Sequence, residues 1–116
     1  ELVRVCEVKK NMIPILADAR FPEKYRMLVE QVDTIYSDVA QPEQAKLLSD
    51  NSEMFLKSGG HTMLAIKAQS IDVTREPSEV YKQETQVLIR KGFEILQVVN
   101  LEPFDKAHAM VLAKFK

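Results

Sequence analysis

Acids, an amine and an imidazole recur where short apolar runs of this chain stop. Asp18 follows Met12–Ala17 (MIPILA), and Asp38 follows Val32–Ser37. Lys67 sits at the end of His61–Ala68 (HTMLAIKA), and His108 opens the last run, His108–Phe115. In open α/β sheets, ligands bind beyond the carboxyl ends of the strands. A lysine and an aspartate ending adjacent parallel strands can touch there. Such a lysine can polarise a nearby hydroxyl or take its proton. The stretch Val32–Gln44 (VDTIYSDVAQPEQ) concentrates the signal. Its strand stops at Ser37-Asp38, a Val39-Ala40-Gln41 loop follows, and Pro42 opens a helix. Proline is at home in a first helical turn, where its missing N–H would have no partner anyway.

Each of these residues also has a purely structural reading. Asp18 can cap the turn that follows it. Asp38 can be a loop acid or a cap ahead of Pro42. A lysine ending a buried strand is costly unless it is paired or reaches water, so Lys67 can be one half of a structural ion pair with Asp38. His108 can be solvated or satisfied in the core, and His61, just after Gly-Gly, reads as structural. Spacing leaves these alternatives open. Other chemistry is excluded more firmly. Gly59, Gly60 and Gly92 are the only glycines, so no loop cradles a phosphate. No Gly-x-Ser-x-Gly elbow and no His/Glu metal spacing appears, and no metal is expected.

The elements that must position these residues follow from periodicity. Residues 1–10 read as the end of an amphipathic helix. MIPILA reads as a buried strand, with Pro14 marking an edge or a bulge. Glu23–Glu30 is a short helical candidate. Pro42–Leu56 is an amphipathic helix, with Ser58-Gly59-Gly60 as its left-handed cap. Ile71–Glu76 is a polar connection before a second long helix, Pro77–Lys91, capped by Gly92. Phe93–Leu101 and His108–Phe115 read as strands joined by a loop too short for a helical crossover, hence antiparallel. The class is α/β, with a largely parallel sheet.

Length and composition bound the function. The 116 residues fit one domain, and 46% apolar residues argue against disorder. The formal charge of −1 provides no overall basic field for a polyanion, so a nucleic-acid partner needs a local patch or a second protein. Cys6 is the sole cysteine, which forbids an internal disulfide and suits a reducing compartment. Apolar runs such as Met63–Ile66 are too short to span a bilayer, and no membrane role is expected. The start, ELVRVCEVKK, is neither a signal peptide nor an initiator methionine, and the chain is expected to begin partway through something longer.

The segments Pro14–Arg20 (PILADAR), Pro22–Arg26 (PEKYR), Tyr36–Gln44 (YSDVAQPEQ), Gly59–Thr74 (GGHTMLAIKAQSIDVT) and Leu101–Ala109 (LEPFDKAHA) closely resemble fibrillarin of the archaeal type. The resemblance covers nearly the whole chain, and its Asp-Val-Ala-Gln-Pro and Ile-Lys-Ala-x-x-Ile-Asp runs are highly specific. It implies a Rossmann-like S-adenosylmethionine-dependent methyltransferase sheet. The implied activity is methylation of RNA ribose 2′-hydroxyls in rRNA and tRNA processing, directed by a box C/D guide RNA and a scaffold protein. It implies a cytoplasmic protein, nucleolar in eukaryotic relatives. By the same resemblance Asp18 and Ala19 lie beside the cofactor's adenine, and Asp38 and Gln41 line its methionine end. Asp38, Lys67 and His108 match the aspartate, second lysine and histidine of the family's Lys-Asp-Lys-His catalytic set.

The resemblance also implies what is missing. Residues 1–116 match the carboxyl-terminal part of a single methyltransferase domain. The first strands, the glycine-rich cofactor loop, the ribose-holding acid and the first lysine of the set have no counterpart, and Ala107 stands where relatives usually have Asp. Met12–Ala17 would then lack its ladder neighbours, and strand amides need partners. The expectation is a missing amino-terminal half supplied by another chain, a dimer formed by strand exchange, or repacking of that segment, with little activity for the fragment alone. The alternative is a non-enzymatic module that docks the scaffold protein; an unrelated small-molecule methyltransferase half is a weaker third.

Overall fold

The computed structural model describes residues 11–103 and 106–116, together with Arg4 and Glu7. Apart from those two residues, the helix end expected over 1–10 lies outside the described residues, as do Phe104 and Asp105. The described elements are β1 (Val32–Ser37), α1 (Gln44–Phe55), β2 (Leu56–Lys67), a short α2 (Ala68–Ile71), α3 (Pro77–Arg90), β3 (Phe93–Asn100) and β4 (His108–Phe115). Two 3-10 turns, Pro22–Lys24 and Arg26–Leu28, precede β1, where one short helix was expected.

The strands form a sheet in the order β1-β2-β4-β3. β1 and β2 are parallel, with Ser37 opposite Leu64. β4 lies between β2 and β3 and runs against both. Three strands therefore point one way, as the α/β pattern predicts, while the late strand inserts in reverse. α1 and α3 cover one face. Leu48, Val80 and Leu88 from the helices meet Leu64, Ile66, Val111 and Ala113 from β2 and β4, all buried. Along β2 and β4 alternate residues face this core, the period-two signature of a strand. On the other face Tyr36 and Met63, paired across β1 and β2, are exposed.

Two further expectations are corrected. Met12–Ala17 is not a strand: it carries no regular structure, and Ile13 and Leu16 are exposed. An apolar run becomes a strand only beside a partner, and β1 presents no ladder to it. Ser58-Gly59-Gly60 is not a helix cap. α1 already stops at Phe55, and these residues form a bulge within β2, where the register jumps from Val32↔Leu56 to Thr34↔His61. Gly59 takes φ +81° there, and a Cβ at Gly60 would come within 2.9 Å of the Asp33 carbonyl oxygen.

α1 has no side-chain cap of its own. Glu84 of α3, almost fully buried, accepts the Ala45 N–H at 3.1 Å and does that work from a distance. Burial pushes the Glu84 carboxyl up, the Ala45 N–H pulls it down by less, and Glu43 pushes it up further. A raised carboxyl ionises later in the folded chain than in the unfolded one. Stability is therefore lost as pH rises from the ordinary carboxylate value to the raised one, and stays lost above it. In urea unfolding, the stability difference between wild type and Glu84→Gln should shift in the variant's favour between about pH 3 and pH 7. A pH-independent difference would contradict this.

Candidate active site

The ladder between β1 and β2 stops at Ser37 and Leu64, and both chains then run on to the same edge of the sheet. Asp38 follows β1 and Lys67 ends β2. The Lys67 ammonium meets the Asp38 carboxylate at 2.9 Å, with the two side chains 31% and 40% exposed. They are thus paired but reachable by a ligand. His108 opens β4 directly opposite Lys67 in the antiparallel register. Its Nδ1 lies 2.8 Å from the Lys106 carbonyl oxygen, which can only accept, so Nδ1 donates there and Nε2 is the acceptor whenever the ring carries one proton. Asp38 and Lys67 are thus in contact, and the register sets His108 opposite Lys67.

Asp18 and Ala19 belong to a second group. The Asp18 carboxylate accepts the Arg20 N–H at 2.9 Å and the Arg20 guanidinium at 2.6 Å. The structural reading of Asp18 as a turn cap is therefore also realised. This turn is lashed to α1 by Asn51, whose Nδ2 donates to the Ala19 carbonyl at 3.0 Å and the Leu47 carbonyl at 2.8 Å. Tyr25 donates its hydroxyl to Asn51 Oδ1 and stacks on Phe55 at 5.5 Å. Asp18, Ala19 and Gln41 line one groove of about 510 Å³ between this turn and the loop after β1. Asp38 lines instead a larger cleft of about 780 Å³ along the flank of β1. Val39 lines both, so the two groups are neighbours. Among the described residues, no His, Cys, Asp or Glu gather in threes that could hold a metal.

Sequence reasoning missed Gln44. It is fully buried, donates from Nε2 to the Val39 carbonyl at 2.9 Å and accepts the Lys67 N–H at 3.1 Å. The available signal was a carboxamide on the apolar face of a helix, four residues before Leu48.

An α/β sheet with one reversed late strand, acids at its carboxyl edge and a groove beside them defines a Rossmann-like domain of the methyltransferase type. The fibrillarin family model matches residues 1–116, and the chain belongs to the fibrillarin family. It is 59% identical over 116 residues to a fibrillarin-like rRNA/tRNA 2′-O-methyltransferase of Staphylothermus marinus, covering all of this chain and 50% of that protein. It thus spans about half the length of such relatives. Fibrillarin of Aeropyrum pernix, described as having natively bound S-adenosyl-L-methionine, superimposes with TM-score 0.85 at 58% identity, over 97% of this chain and 49% of that one. A fibrillarin/Nop5p complex gives TM-score 0.92 at 37% identity, over 99% and 54%.

The Arg20 guanidinium and backbone N–H hold the Asp18 carboxyl down at about 2. The contact stabilises the turn above the ordinary carboxylate value and is lost as pH falls through about 2. A carboxyl NMR titration should find that midpoint for Asp18, and Arg20→Ala should return it toward about 3.9. An unchanged midpoint in the variant would contradict the assignment.

Proposed function

We propose that this chain carries the catalytic residues of an RNA ribose 2′-O-methyltransferase that uses S-adenosylmethionine and works within a guide-RNA particle. The observation that carries this reading is the Lys67–Asp38 pair at 2.9 Å, with His108 in register beside it, next to a groove lined by Asp18, Ala19 and Gln41. The names of the relatives and the S-adenosylmethionine-bound A. pernix structure support it.

The residues present fit one side of the cofactor. Small apolar walls (Ala17, Ala19, Ala40) suit a flat base, Asp18 supplies an acceptor, and Gln41 supplies both donor and acceptor. When bound, the cofactor supplies a methyl group already activated on a sulfonium. The protein's task is then positioning. Asp38 fixes Lys67, and the Lys67 ammonium draws electron density from the ribose hydroxyl. His108 offers Nε2 to the departing proton. Reading a 2′-hydroxyl also separates RNA from DNA.

The reading includes dependence on more polypeptide. Among the described residues β1 is an edge strand with no partner on its outer side, and Ile13, Leu16, Tyr36 and Met63 are exposed. The other half of the relatives' length, or a second copy exchanging strands, would cover these surfaces. A net charge of −1 leaves much of the RNA grip to a scaffold protein, as the fibrillarin/Nop5p complex suggests. That complex also favours the second reading, a docking module whose acid and amine form only an ion pair.

Calorimetric titration of the 116-residue chain with S-adenosylmethionine should detect no binding; measurable affinity would contradict the dependence. In a reconstituted particle, Lys67→Ala should lower methylation by about 10²-fold or more while assembly persists. Unchanged methylation would favour the docking module.

A further inference from the structure

Lys67 poses a backbone problem as well as a side-chain one. Just beyond it, Ala68 gives its N–H to the Ala107 carbonyl on the β4 side at 3.0 Å. Alternation along a strand turns the Lys67 N–H the other way, toward β1. β1 has already ended, since its last paired residue, Ser37, faces Leu64, three positions before Lys67. The Gln44 side chain fills the vacancy: its Oε1 accepts the Lys67 N–H, and its Nε2 donates to the carbonyl of Val39, the residue after Asp38.

We propose that Gln44 is the positioning residue of the Asp38–Lys67 pair, a carboxamide splint that joins the backbones carrying the acid and the amine. The inference rests on the catalytic reading of that pair. A carboxamide of this length can donate to one backbone and accept from the other. A carboxylate accepts but cannot donate, and leucine does neither. Gln44 is itself held, because α1 begins at this residue and the next N–H is anchored by Glu84. Complete burial keeps water from substituting for either bond. The two bonds thus fix the separation of the strand ends, and the side chains of Asp38 and Lys67 need only reach across it.

The test uses Gln44→Leu and Gln44→Glu in the reconstituted particle, with Lys67→Ala as control. Both variants should lower kcat by about 10²-fold and leave KM for S-adenosylmethionine within about threefold. The deficit of Gln44→Glu should narrow as pH falls, because a protonated carboxyl regains the donor. Hydrogen exchange should show the Lys67 amide losing protection while those of Ile66 and Met110 keep theirs. An unchanged kcat in both variants, with Lys67→Ala inactive, overturns the positioning role. Loss of protection throughout β2 and β4 in both variants makes Gln44 a residue of the fold and overturns it equally. A rate insensitive to Lys67→Ala as well overturns the catalytic reading first, and this inference with it.

Discussion

The parallel ladder between β1 and β2 is the constraint on which the rest depends. Its register sets Ser37 against Leu64 and so sends the next few residues of both strands to one edge. Neither Asp38 nor Lys67 needs an unusual backbone to reach the other; the register brings them within 2.9 Å. β4 then closes the other side of β2 and delivers His108 opposite Lys67. A register change in either ladder would separate the three groups, whatever their identities.

Around that ladder the packing is one-sided. The helix-covered face is well sealed, with Leu48, Leu64, Ile66, Leu88 and Val111 essentially inaccessible. The opposite face and the flank of β1 leave Tyr36, Met63, Leu16 and Ile13 in contact with water. Large apolar side chains left exposed in this way mark surfaces built to be covered. This agrees with a chain that spans about half the length of its relatives.

Much of this arrangement was legible in the sequence, for identifiable reasons. β4 was read with its exact observed limits because His108–Phe115 is apolar, bounded by a turn and buried. Asp38 and Lys67 stood out because charge interrupts apolar runs at strand ends. Other features were not legible. Met12–Ala17 has strand composition, but a strand is a property of a pair, and among the described residues no strand pairs with it. Ser58-Gly59-Gly60 follows a helix, so a cap was the natural local reading, and only the partner strand shows that the residues form a bulge. Gln44 and Glu84 act through single hydrogen bonds to Lys67 and Ala45, residues far away in sequence. No periodicity encodes such bonds.

The central claim is that the carboxylate of Asp38 and the ammonium of Lys67 act as one unit in methyl transfer. A double-mutant cycle on single-turnover methylation, with Asp38→Asn, Lys67→Met and both together in the reconstituted particle, measures this directly. The account predicts that the double variant is scarcely slower than the worse single one, a coupling within about 0.5–3 kcal/mol. Losses that simply add, or single variants as fast as wild type, would contradict it.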